Sequence, residues 1–153
     1  MWNELNRLRA LPRARKGLLA EALAALGLAR LAMACLPFRR IAAWLGAPGT
    51  ESAIEATPAE TRIAKEIGWA VGLLGRRVPW DGRCLAQALA ATWMLRRRGL
   101  EGTVSFGARP GTGTGPGTVF DAHAWLRVGS SVVTGGAGHR SFKVFTTFAR
   151  RRT

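Results

Sequence analysis

An α+β fold is predicted for this chain on three observations. Helical periodicity runs through residues 3–98, alternating strand patterns fill the remainder, and a cysteine-bearing helix stands at the junction. Helices first and strands afterwards imply a small antiparallel sheet packed on that cysteine helix. The length of 153 residues suits one domain, with a helical N-terminal part over 1–58 and a core over 59–153.

In chain order, residues 3–10 suit a short helix that ends before Pro12. Gly17 to Leu36 carries the stripe Leu18, Leu19, Ala22, Leu23, Leu26, Ala29, Ala32 and Met33. That helix has the length of a bilayer span, but Glu21 and Arg30 interrupt it. It reads as a buried or partner-facing helix, and Cys35, set in an Ala/Leu/Met run, reads as core. Pro37 breaks it, and Phe38 to Leu45 forms a further turn or two. A linker over residues 50–58 precedes Thr57-Pro58-Ala59-Glu60, which matches an N-cap, a proline in the first turn and an acid behind it. The helix that follows runs to about Arg77 with Ile63, Ile67, Val71 and Leu74 on one face, and Gly68 and Gly72 suggest close packing. The Cys84 helix stops at Gly99. Strands are expected over 101–108, 119–128, 131–134 and 142–148. The glycine-rich run from Gly111 to Gly117 lacks the lysine and following helix of a phosphate loop, so it reads as a long hairpin connection or a lid.

Two runs carry chemistry. Pro79-Trp80-Asp81-Gly82-Arg83-Cys84 is turn chemistry followed by helix, with Asp81 a candidate N-cap and Gly82 a sharp entry. This sets Cys84 in a first turn, where orphan N–H groups and the helix dipole favour a thiolate. In 120–126, Phe120, Ala122, Ala124 and Leu126 take one face of a strand, and Asp121, His123 and Trp125 the other. A cysteine opening a helix and a histidine on a later strand have the layout of a thiol hydrolase. A lone cysteine is also, more commonly, a small buried hydrophobe, and a lone histidine a hydrogen-bonded structural residue.

Net charge is +14, which bears on partners rather than on fold. Nucleic acid, an anionic membrane and an acidic peptide or protein are the candidate partners. The interleaved aromatic and basic pattern of a nucleic-acid surface is missing. Two cysteines make no disulfide framework, and no signal peptide is evident, so a cytoplasmic setting is expected. No cofactor and no metal site is expected.

Cys84-Leu85, the run 95–100, a strand near 102–108, Ala122-His123-Ala124-Trp125-Leu126 and Val132-Val133-Thr134-Gly135-Gly136 together resemble the transglutaminase-like leader peptidases of lasso-peptide biosynthesis. Leu11-Pro12 and Leu36-Pro37-Phe38-Arg39-Arg40 extend the resemblance over nearly the whole chain. It implies a papain-like cysteine protease that removes the leader from a ribosomally made precursor, as the stand-alone protease half. The partners implied are that precursor, a separate leader-recognition protein and a lasso cyclase. Cys84 would be the nucleophile, with its own N–H at the oxyanion, and His123 the base. Trp125, Trp80 and Gln87 would line the oxyanion and substrate region. In relatives an acid on the strand after the histidine orients the ring, yet no Asp or Glu follows Asp121 here, and Thr134 and Gly135 occupy that region. Asp121, roughly 6.5–7 Å from His123 along the strand, is the expected substitute. A backbone carbonyl, the Thr134 hydroxyl or water are the other options. A thiol acyltransferase or amidase on the same scaffold, or a non-enzymatic basic binding module, are the competing functions.

Overall fold

The computed structural model describes residues 2–79, 83–111 and 119–150. Their element order is α1 (Trp2–Arg9), α2 (Arg13–Cys35), α3 (Phe38–Leu45), β1 (Ala47–Pro48), α4 (Pro58–Gly75), α5 (Cys84–Arg96), β2 (Thr103–Pro110), β3 (Phe120–Val128), β4 (Ser131–Thr134) and β5 (Lys143–Ala149). A short 3-10 turn at His139–Ser141 precedes β5. The sheet order is β1-β5-β2-β3-β4, with every pair antiparallel.

Helix α5 sits at the centre because its sequence is small. Ala86, Ala88, Ala90 and Ala91 are buried and let α2, α4 and β3 approach closely, while Leu89, Met94 and Leu95 fill the space left between them. Val104, Leu126, Val128 and Phe148 close this core from the sheet. The alternation of β3 therefore puts Leu126 and Val128 against the helices, and His123 and Trp125 on the other face.

Two polar devices fix α5 and the back of the sheet. Arg96 donates from Nη1 to the Trp44 carbonyl and from Nη2 to the Leu45 carbonyl, both at 2.6 Å, so it satisfies the open end of α3. Its guanidinium also lies 4.5 Å from the Trp44 ring centre and pairs with Glu101 at 3.5 Å. The 50–56 segment is pinned behind the sheet: Ser52 donates its N–H to Thr103 Oγ1 at 2.8 Å, and Arg127 reaches Glu51, Ser52 and Gly129. Thr57 and Glu60 form the expected reciprocal cap of α4.

Several expectations are revised. Helix α2 begins at Arg13 rather than Gly17, since Ala14, Arg15 and Lys16 all have high helix propensity, which outweighs their unfavourable charge at that end, and Pro12 suits the position before it. Cys35 is exposed, not core, because the buried face of α2 is Ala22, Ala25, Leu26 and Ala29, and the last turn rotates away from it. Leu23 is exposed for the same reason. Helix α4 ends at Gly75, two residues early, and the turn after α3 contributes the two-residue strand β1. Gly68 is the close-packing glycine, for a Cβ there would strike the Val133 carbonyl of β4; Gly72 meets only the tip of Arg76 at 3.6 Å. Among the described residues α2 alone is long and apolar enough to cross a bilayer.

Candidate active site

The first residue of α5 is Cys84, and its N-cap is Arg83 in an extended conformation (φ −72°, ψ −174°) with no side-chain cap. Gln87 N–H bonds back to the Arg83 carbonyl at 3.0 Å, so the helix ladder starts there. The N–H groups of Cys84, Leu85 and Ala86 precede the ladder and point out of the helix end. The Cys84 side chain is partly exposed. The thiol therefore stands beside helix-end donors that can hold negative charge developing on a nearby substrate oxygen. The expected cap Asp81, and with it Gly82 and Trp80, lie outside the described residues, as does most of the glycine-rich loop.

His123 is held by its neighbours on the far face of β3. Its ring stacks on Trp125 (centroids 5.7 Å apart, planes at 27°) and tilts against Phe142 at 4.9 Å. The cross-strand partner of His123 is Gly107. A Cβ on Gly107 would lie 2.8 Å from Phe142 Cβ and 2.9 Å from Trp125 Cη2, so glycine makes the room in which these rings pack. Trp125 is buried and also faces the His139 ring at 5.7 Å.

The decisive polar contact runs sideways. His123 Nε2 lies 2.7 Å from the Gly135 carbonyl oxygen. A carbonyl oxygen can only accept, so Nε2 must carry the proton, and in the neutral ring Nδ1 then keeps the lone pair. Gly135 is suited to this duty in two ways. Its φ is +69°, and a Cβ would come within 2.6 Å of the Ala124 carbonyl oxygen and 3.0 Å of Trp125 Cβ. The β3–β4 pairing ends at Leu126↔Thr134, so Gly135 is the first residue released from the ladder and can turn its carbonyl to the ring.

The remaining candidates separate. Asp121 pairs with Arg109 Nε at 3.4 Å, and Arg109 also donates to Ser141 Oγ at 2.8 Å and covers the Phe142 ring at 4.4 Å. No hydrogen bond joins Asp121 to His123 among the described residues, because the carboxylate turns to the cation opposite it on β2. Thr134 Oγ1 is buried without a hydrogen-bond partner among the described residues and does not hold the ring. Gln87 packs its side chain against Gly75, at the end of α4. The Cys84 sulfur and His123 make no hydrogen bond with each other among the described residues; catalytic contacts commonly tighten only around a bound substrate. His123 and the Gly135 carbonyl are thus brought together, on the face of β3 turned away from the helices, while Cys84 stands at the start of α5. Phe142, the second wall of the imidazole slot, gave no sign of itself in sequence beyond its place at the start of the last strand. No group of three or more His, Cys, Asp or Glu among the described residues could hold a metal.

A partly exposed cysteine thus opens the central helix, an antiparallel sheet packs on that helix, and a strand histidine is held through one ring nitrogen. Residues 32–147 match the family model of the transglutaminase-like superfamily. The chain belongs to that superfamily, whose members are generally cysteine-dependent enzymes with a cysteine-protease-like or acyltransferase fold. A search of the curated proteins and a search of the solved structures each return no match.

Proposed function

We propose that this chain is a cysteine peptidase that cleaves the leader from a ribosomally made lasso-peptide precursor. Superfamily membership supports the chemistry, and the Cys84-Leu85 and Ala122-His123-Ala124-Trp125 runs support the specific assignment. The observation that carries the mechanism is the 2.7 Å contact that commits Nε2 of His123 to Gly135 and leaves Nδ1 as the base. His123 Nδ1 takes the thiol proton as the Cys84 sulfur attacks a precursor carbonyl. The oxyanion forms at the end of α5, where the Cys84 N–H donates to it. Collapse of that adduct expels the C-terminal fragment as an amine, protonated by the imidazolium, and leaves the leader as a thioester on Cys84. Water, deprotonated by the same nitrogen, then releases the leader acid and the free thiol.

The precursor, a leader-recognition protein and a lasso cyclase are the partners in this reading, and the cytoplasm is its setting. The test is precursor processing by Cys84→Ala, which should fold and unfold as the parent does and cleave nothing. Cleavage at the parental rate by Cys84→Ala would end the proposal. The superfamily's acyltransferase chemistry supplies the second reading, in which an amine replaces water in the last step. Product that appears only when an amine is added, and is joined to it, would favour that reading.

A further inference from the structure

A group of positive charge lies far along the chain from Cys84, where the first turn of α2 stands against the middle of α4. Helix α2 opens on Arg13, Arg15 and Lys16, with no acid in its first turn and no side-chain cap. Cations at that end oppose the helix dipole, so these residues weaken the helix they begin. Arg15 faces Arg62 and Lys65 of α4 across a concavity of about 450 Å³ that also contains Thr61, Glu66 and Trp69. Three cations therefore share the cup with one acid, and none of the three forms an ion pair among the described residues. Uncapped N–H groups at the head of α2 add to the positive potential. Elsewhere this chain spends its acids on its arginines: Glu4, Glu21, Glu51, Glu101 and Asp121 are each paired. In the cup three cations instead line one concavity with a single acid and no ion pair among the described residues.

We propose that this cup is a docking surface for an acidic stretch of another polypeptide, which lays carboxylates between Arg15, Arg62 and Lys65. Nucleic acid fits less well, because a single aromatic lines the cup, Trp69, and the Arg15 guanidinium already lies 5.0 Å over its ring. Glu66 within the cup would also repel closely spaced phosphodiesters. A lipid surface fits less well too, since no aliphatic side chain lines the concavity to enter a bilayer. Separate carboxylates on a flexible chain can instead settle on each cation and avoid Glu66. The inference does not depend on the chain being a peptidase, because it concerns binding alone.

The experiment uses the full chain as Cys84→Ala, with a fluorescently labelled octaglutamate peptide as the probe and anisotropy as the readout. The Arg62→Glu/Lys65→Glu double variant should weaken binding at least about tenfold. Arg39→Glu/Arg40→Glu changes the net charge equally on α3, away from the cup, and should weaken it less than about threefold. The Arg62→Gln/Lys65→Gln variant should fall between the parent and the reversal, and it serves as the measurement if the reversal fails to fold by circular dichroism. Equal weakening by the α4 and the α3 reversals would overturn the proposal, as would no measurable binding by the parent at low salt. So would tighter, cup-dependent binding of oligothymidylate or of phosphatidylglycerol vesicles than of the peptide.

Discussion

Replacing Gly135 by alanine asks how much depends on one backbone carbonyl, and Gly138 supplies the internal control. Both residues have nearly the same dihedral, φ +69° and +71°. An alanine at either position is held in the left-handed region at about 1–2 kcal/mol. Nothing lies within 4 Å of a Cβ on Gly138, so its substitution costs only that strain. At Gly135 the new methyl would sit 2.6 Å from the Ala124 carbonyl oxygen and 3.0 Å from Trp125 Cβ. Those atoms are backbone and the root of a buried side chain, so the 134–136 segment must move instead. A shift of this kind adds about 1–3 kcal/mol, as overpacking does. For a chain of this size each kcal/mol lowers Tm by about 2–4 °C. Gly138→Ala should then lower Tm by about 2–8 °C, and Gly135→Ala by roughly twice that, in parallel thermal scans. Gly135→Ala should also release Nε2. Imidazole ¹⁵N shifts would read a single Nε2–H tautomer in the parent and in Gly138→Ala, and a mixture in Gly135→Ala. Precursor processing should drop about 10- to 100-fold in Gly135→Ala alone, the size expected when a general base loses its positioning. Matching stability, tautomer and activity in the two variants would refute the role given to the Gly135 carbonyl.

Other expectations follow from particular contacts. Asp121→Asn separates the two groups that could orient His123: with the Gly135 carbonyl in that role, processing should fall less than about threefold, and a loss of 10²-fold or more would give the role to Asp121. Its exposed pair with Arg109 should cost no more than about 1 kcal/mol in urea unfolding. Arg96→Ala takes the Arg96 donor from the Leu45 carbonyl, leaves the Trp44 carbonyl with Arg150 alone and strips Glu101 of its partner; a loss of about 2–4 kcal/mol is expected by the same measurement. Glu21 is held below the usual carboxylate range, first by its hydrogen bond to Arg98 and then by the charges of Arg98 and Arg97, with burial opposing them. A lowered folded-state pKa means that its contribution is complete above the unfolded value near 4.3 and is lost as pH falls through the folded value. Stability should therefore decline less steeply below about pH 4.3 in Glu21→Gln than in the parent, and identical acid limbs would remove Glu21 from that account.

Sequence alone established the α+β order, the extent of most elements, the Thr57–Glu60 cap and the placement of Cys84 at a helix start and His123 within a strand. These are local properties: a 3.6-residue or a 2-residue period, a cap, a proline and a glycine each act within a few positions of themselves. Even the absence of any acid beyond Asp121 was legible as a gap in the expected site. Tertiary structure decided what fills that gap. Asp121 and Arg109 face each other only because β2 and β3 pair in the register Arg109↔Asp121, and Gly135 meets the ring only because the β3–β4 ladder ends one residue before it. Phe142 reaches His123 from nineteen positions away, and Gly107 makes room for both. Cys35 left the core for a related reason, since a stretch apolar on several sides does not say which side its neighbours will cover. A carbonyl belongs to every residue alike, so no choice of side chain can announce which one will be turned toward an imidazole; pairing register and chain reversal decide that.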